Sequence, residues 1–186
     1  MPCIDFYMLG SGSASHPYRG TSSILLDAGM GPLLVDAGCT SVMMLRRLGY
    51  DPGDVTSVIV THGHVDHYCG LQHIGFIKTW RSGSARRLSV YTTRHASRLI
   101  DYSLRSIDRS QLLDAAVRTA WDGMEVSGFK VGLIPAVHTV EALSLELVHD
   151  GVRILVSGDT APTGECKERA QDAAIAIHEA TRPSGM

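Results

Sequence analysis

Apolar and polar positions divide the chain into two textures. In the first half, short apolar runs at Ile4–Leu9, Ser22–Leu26 and Pro32–Val35 are separated by Gly-rich turns, a pattern that predicts three strands. Val42, Met43, Leu45 and Leu48 recur at helical spacing and predict a helix over Thr40–Leu48. A strand at Ser57–Val60, a helix at Gly70–Trp80 and a strand at Leu88–Tyr91 follow, with helices around His95–Arg105 and Ser110–Val117. The second half is strand-rich, and Met124–Val126, Phe129–Ile134 and Ala142–Val148 read as antiparallel strands. Asp150-Gly151 is a tight-turn signal between two apolar runs, so Ala142–Val148 and Val152–Val156 should form a hairpin. A helix at Gly164–Gln171 and a strand at Ala173–Ile177 complete the pattern. With no linker, repeat or low-complexity segment, this order predicts an α/β chain in which two β-sheets pack together with helices outside.

Length adds that the 186 residues suit one domain spanning 1–186. A net charge of −2 argues against a globally basic nucleic-acid surface. Arg81, Arg86, Arg87, Arg94, Arg98, Arg105 and Arg109 make the middle locally basic and read as solvated helix faces and loops. Cys3, Cys39, Cys69 and Cys166 lie far apart with no C-x-x-C pair, which predicts free thiols in a reducing cytoplasm rather than a zinc ribbon or a disulfide framework. The start, MPCIDFYMLGSG, lacks the features of a signal peptide, and no apolar run reaches membrane-spanning length. The expectation is a soluble, cytoplasmic protein with no membrane partner.

Chemistry concentrates in one place. VTHGHVDHYCG, from Val60 to Gly70, puts His62, His64, Asp66 and His67 into six residues directly after an apolar strand. In an extended loop His62 and His64 can turn toward one point, while Asp66 and His67 serve a second a few Å away. Two metals about 3.5–4 Å apart clamp a substrate and generate hydroxide near neutral pH. Imidazole with carboxylate suits zinc best, with manganese or iron as further options.

These residues carry a resemblance. THGHVDH matches the T-H-x-H-x-D-H motif of the metallo-β-lactamase superfamily, and LLVDAG at Leu33–Gly38 is similar to the strand ending in an aspartate that precedes that motif. His138 in PAVHTVEA and Asp159 in VSGDT fall where the family's next two ligands belong. The resemblance implies an αββα sandwich in which His62, His64 and His138 hold one metal, Asp66 and His67 the other, and Asp159 bridges. MLGSGSASHPYRGTSSILL resembles the opening of the tRNase Z and phosphodiesterase subgroup, and IHEAT at Ile177–Thr181 looks like its H-E-A-T motif. In that subgroup the motif's glutamate, here Glu179, supports a histidine that helps protonate the leaving group. His178, His16, His73, His95 and His149 receive no site role.

Two departures limit the analogy. Only 20 residues separate His138 from Asp159, where the subgroup inserts its tRNA-gripping arm, so folded tRNA is an unlikely substrate in comparison with small, cyclic or short single-stranded phosphodiesters. The family also continues past the H-E-A-T motif with two functional histidines that have no counterpart before Met186. The expected shape is thus a C-terminally shortened sandwich with one well-held zinc and a weak or empty second site. The leading expectation is a zinc-dependent hydrolase of the phosphodiesterase type, with Asp66 orienting the hydroxide and Glu179 in the catalytic group. A lactonase, thioesterase or β-lactamase-like carbonyl hydrolase is one alternative. A weakly active or inactive relative serving as a binding or assembly module is another. A homodimer is expected, because the second sheet would carry an apolar face that its own chain leaves uncovered. Loop Gly10–Gly20, with His16 and Arg19, is placed at the mouth of the pocket.

Overall fold

The computed structural model describes residues 3–80, 87–107 and 114–180. Its first sheet has six strands in the order β1 (Asp5–Gly10), β2 (Ser23–Asp27), β3 (Leu33–Val35), β4 (Ser57–Ile59), β5 (Leu88–Thr92) and β6 (Ala115–Thr119). The β1–β2 and β2–β3 pairs are antiparallel, and β3 through β6 run parallel. The connections between the parallel strands carry helices α1 (Ser41–Arg47), α2 (Cys69–Trp80) and α3 (Arg94–Ile107). The second sheet pairs β7 (Met124–Val126), β8 (Phe129–Pro135), β9 (Leu143–His149) and β10 (Val152–Val156) in antiparallel order. Strand β11 (Ile175–Ile177) lies parallel to β10, after helix α4 (Gly164–Gln171).

Burial explains the two textures. The inner strands β2, β3 and β4 of the first sheet are covered on both faces, so they read as continuous apolar runs. Ile24, Leu26, Leu33, Val35 and Ile59 face the second sheet, meeting Phe129, Val131, Leu145, Leu147, Ile154 and Val156. Leu25, Leu34, Val58, Val60, Leu88 and Val90 face the other way, against Leu45 of α1, Leu71 and Ile74 of α2, and Ile100 and Leu104 of α3. Each such side chain contributes about 1.5–3 kcal/mol when fully buried. The second sheet alternates instead. Leu145 and Leu147 point into the sandwich, while Ser144 and Glu146 of the same strand point outward, where α4 packs through Cys166 on Ile134 and Leu155. Arg153 and Arg169 reach Glu146 at 3.3 and 2.9 Å on that outer face. These layers make the αββα sandwich that the motif resemblance implied. The Asp150-Gly151 hairpin forms as expected, with both residues at positive φ (45° and 82°), as a two-residue hairpin turn demands.

Three expectations are corrected. The helix read at Ser110–Val117 is not present over its described part, where residues from Ala115 onward form β6; residues 110–113 lie outside the described residues, as do Arg81, Arg86 and Arg109. Pairing of Val117 with Val90 beside the helix-side core outweighs the helix propensity of two alanines. The four cysteines are not all free thiols. Cys39 and Cys69 form a disulfide with Cα atoms 5.2 Å apart, because folding brings the turn after β3 against the start of α2; Cys3 and Cys166 remain free. The outer face of the second sheet is not an uncovered apolar surface among the described residues, since α4 and the Glu146 ion pairs occupy it. Among the described residues no helix is long and apolar enough to cross a membrane.

Candidate metal centre

The centre lies where the C-terminal ends of β3 and β4 meet the loops of the second sheet. Strand β4 delivers Thr61 and His62, both fully buried, to the edge of the sandwich. His62 forms a bridge with Ala142, and Leu143 N donates to Thr61 O at 3.0 Å, which ties the histidine loop to the start of β9. The β8–β9 loop brings in His138. Val137 N donates to Thr160 Oγ1 and Ala161 N to Val137 O, both at 2.9 Å, so the loops carrying His138 and Asp159 brace one another. Gly158, at φ +57°, turns the chain into Asp159; a Cβ there would lie 3.0 Å from both Leu143 O and the Thr61 Cβ.

Four ligand atoms converge, all within 4.8 Å of one another: one each from His62, His64, His138 and Asp159. His62 Nε2 and His138 Nε2 lie 2.9 and 3.1 Å from His64 Nδ1, and each stands 4.0 Å from Asp159 Oδ2. Ring nitrogens so placed cannot all be satisfied by one another, because His64 Nδ1 can share a single proton with only one neighbour. A cation between them satisfies all three lone pairs. Ligand bonds of about 2.0–2.1 Å in tetrahedral array put neighbouring ligand atoms roughly 3.3 Å apart, in keeping with these separations. The donor set therefore fits zinc.

The structure brings the other two predicted ligands beside this cluster rather than into it. His67 Nε2 lies 3.4 Å from Asp159 Oδ1 and 3.9 Å from Asp66 Oδ2. Asp159 thus presents one oxygen to each group, an arrangement suited to bridging. Glu179 stands further back: its Oε1 accepts from Thr160 N at 3.2 Å and its own N–H donates to Ser157 Oγ, so it buttresses the Asp159 loop. His178 is exposed and bonds the Glu179 carbonyl. In the Gly10–Gly20 loop His16 Nδ1 accepts from Tyr18 N and Arg19 N, organising a local turn.

Asp36 is the contributor that the motif reading left out of the site. It is 1% exposed and sits at φ +57°, a conformation tolerated by Asp but unfavourable for most residues. Its carboxylate accepts from Thr61 N (2.8 Å), Thr61 Oγ1 and Ser22 Oγ, and meets His67 Nδ1 at 2.7 Å. That last contact fixes the His67 ring so that Nε2 faces Asp66 and Asp159. The one available signal was its place at the end of a buried strand preceding the histidine loop.

Electrostatics separate the histidines. Burial is the main cause that pushes His62 down to about 4, aided by the charge of His67, so His62 is neutral at pH 7 with its lone pair free for a cation. For His67 burial also disfavours protonation, but the charge of Asp36 and hydrogen bonds to Asp159 and Asp36 outweigh it and raise the ring to about 10. Asp159 is held below the usual carboxylate range, chiefly by its hydrogen bond to His67. Without metal, His67 is thus an imidazolium between two carboxylates. Since its folded pKa lies above the unfolded value of about 6.5, the stabilisation is complete below pH 6.5 and is lost as pH rises to about 10. In chelator, the melting temperature is expected to fall across that window, by at most about 1.4 kcal/mol of stability per pH unit. His67→Gln should lack this slope, and a flat parental curve would show that the metal-free ring is neutral.

A family model described as Anti-Pycsar protein Apyc1 matches residues 4–183. The chain belongs to the Apyc1 family. The Apyc1 of Paenibacillus sp. (strain J14) is 36% identical over 76 residues, covering 41% of this chain and 31% of that protein. Ribonuclease Z of Aeropyrum pernix is 31% identical over 155 residues, covering 78% of this chain and 49% of that enzyme. The matched stretches cover less than half the length of each of these two relatives. Human tRNase Z, short form, superposes with a TM-score of 0.78 at 20% identity, covering 98% of this chain and 80% of its own. Zn(2+)-bound PqqB from Methylobacterium extorquens gives 0.65 at 17% identity, covering 90% and 67%. Both share the metallo-β-lactamase fold with this Apyc1-family chain.

Proposed function

We propose that this Apyc1-family chain is a metal-dependent hydrolase of small phosphodiesters, cyclic or short and single-stranded. The convergence of His62, His64, His138 and Asp159 on one point carries the proposal, with the second carboxylate oxygen of Asp159 turned to His67. When bound, zinc there supplies a Lewis acid that lowers the pKa of water and neutralises charge on phosphoryl oxygens. His62, His64, His138 and Asp159 would hold a first ion, and Asp66 and His67 with Asp159 beside them would offer a second, weaker position. The Asp66 carboxylate orients the attacking water, and Glu179 acts through Thr160 to keep Asp159 in place. Substrate size follows from the chain between His138 and Asp159, which is used up by a loop, β9, the Asp150-Gly151 turn and β10. Between these two residues no segment remains to form an arm for gripping a folded RNA.

Zinc titration is expected to show two distinct affinities, the weaker belonging to Asp66 and His67. Two equally tight ions would mean that a further ligand completes the second position. Bis-p-nitrophenyl phosphate and cyclic nucleotides should be hydrolysed in a chelator-sensitive way, with nitrocefin and a thioester untouched. Turnover of the carbonyl substrates alone would transfer the site to acyl chemistry, and tight metal binding without turnover of any would make it a binding module.

A homodimer and a cytoplasmic location belong to the same proposal. Phe76, Trp80, Leu99 and Tyr102 are exposed on α2 and α3, which Gln72 and Ser103 join through a 2.6 Å hydrogen bond. This face supplies apolar area for a two-fold contact. Light scattering across a tenfold dilution should give twice the chain mass, and a monomer throughout would rule the contact out.

A further inference from the structure

The Cys39–Cys69 disulfide stands beside the half of the centre that holds Asp66 and His67. Cys69 follows His67 by two residues and opens α2; Cys39 follows Asp36 by three. Between them the two loops are laced together by three non-covalent links. Ala37 N donates to His67 O at 2.8 Å, Gly70 N donates to Ala37 O at 2.7 Å, and Asp36 meets His67 Nδ1 at 2.7 Å. The disulfide closes the same junction covalently across 30 residues of chain. Three of the other ligands have anchors of their own, His62 in its bridge to Ala142 and His138 and Asp159 in bonds between their loops, while His64 is tied to the His67 segment through His67 N, which donates to His64 O at 3.1 Å. Loosening the 39–69 link therefore acts first on the Asp66–His67 half of the centre and reaches the other half only through His64 and Asp159. Cys39 is exposed and Cys69 half-buried, so the Cys39 end of the bond is the one nearer solvent. Exposed disulfides are the labile ones.

We propose that Cys39–Cys69 is a reversible redox-modification site for small thiols of the glutathione class, and that its state sets how tightly Asp66 and His67 hold the second metal. The inference rests on the metal-centre reading above. A thiolate attacks the Cys39 sulfur, the Cys39–Cys69 bond breaks, and Cys69 leaves as a thiolate that takes a proton from water. A second thiolate attacks the small-molecule sulfur of the mixed disulfide and releases Cys39. In total two thiols are oxidised to one small disulfide while the protein disulfide is reduced to two thiols. Freed of the cross-link, the Asp66–His67 segment gains conformational freedom that metal binding must then remove.

The test compares the air-oxidised protein, the protein reduced with glutathione and desalted without oxygen, and Cys39→Ser, a surface change. Peptide-level alkylation should find Cys39 and Cys69 blocked in the first and free in the second. Competition with a chromogenic zinc chelator should show the weaker site losing about tenfold or more in affinity in the reduced protein and in Cys39→Ser. The tighter site, with His62, His138 and Asp159 anchored outside this junction, should change far less. Oxidised glutathione should restore the parent and leave Cys39→Ser as it was. Amide exchange at Ala37 and Gly70 should quicken on reduction. Equal second-site affinity in all three forms overturns the inference, as does alkylation of both cysteines in the air-oxidised protein. Zinc binding by none of the forms overturns the metal-centre reading, and this inference with it.

Discussion

Replacing His64 with alanine is expected to strip the chain of its tightly bound metal and of hydrolysis together. His64 Nδ1 is the atom that both other imidazoles approach, at 2.9 Å from His62 Nε2 and 3.1 Å from His138 Nε2. Removing it leaves three donors where a well-held zinc has four. Loss of an outer-shell partner typically costs 10–100-fold in metal affinity or activity, so loss of a ligand should exceed about 100-fold. The fold should survive, because His64 is only half-buried and stands on a loop outside both apolar cores. Emission spectroscopy on the purified variant reads the metal, and circular dichroism the fold. Unchanged metal content in a folded His64→Ala protein would remove His64 from the ligand set.

The largest effect on stability is expected at Asp36. Its carboxylate is buried and accepts from Thr61 N, Thr61 Oγ1 and Ser22 Oγ while facing a protonated His67 in the metal-free protein. Asp36→Ala leaves those donors unpaired and a buried cation without its nearest partner. Breaking a buried pair in this way costs about 3–5 kcal/mol. For a chain of this size that is a fall in melting temperature of roughly 6–20 °C. Asp36→Asn keeps the shape and part of the hydrogen bonding, so it should melt closer to the parent. It should nevertheless weaken the second metal position by about 10–100-fold, because an amide orients His67 less strongly than a carboxylate. Calorimetry in chelator and zinc competition separate the two effects. An Asp36→Ala protein melting within about 2 °C of the parent would show that other contacts hold the loops.

What could be read without coordinates was whatever depends on neighbours along the chain. Apolar runs and turn residues marked nearly every element, because a strand's burial pattern and a hairpin's Asp-Gly are local properties. The spacing of His62, His64, Asp66 and His67 was legible for the same reason, since one loop carries all four. The misreadings have a common origin in distant partners. Ala115–Thr119 is a strand only because β5 offers it a ladder and a core. Cys39 and Cys69 are far apart in sequence, and only the docking of α2 against the turn after β3 closes their disulfide. Asp36 carried no motif that named its partners; its hold on His67 depends on a turn at positive φ and a contact across 31 positions of chain. Sequence determined which candidate ligands this protein carries. Tertiary structure decided which nitrogen each one presents, which carboxylate orients the ring, and which loops are bound together, because those depend on directions in space that separation along a chain does not encode.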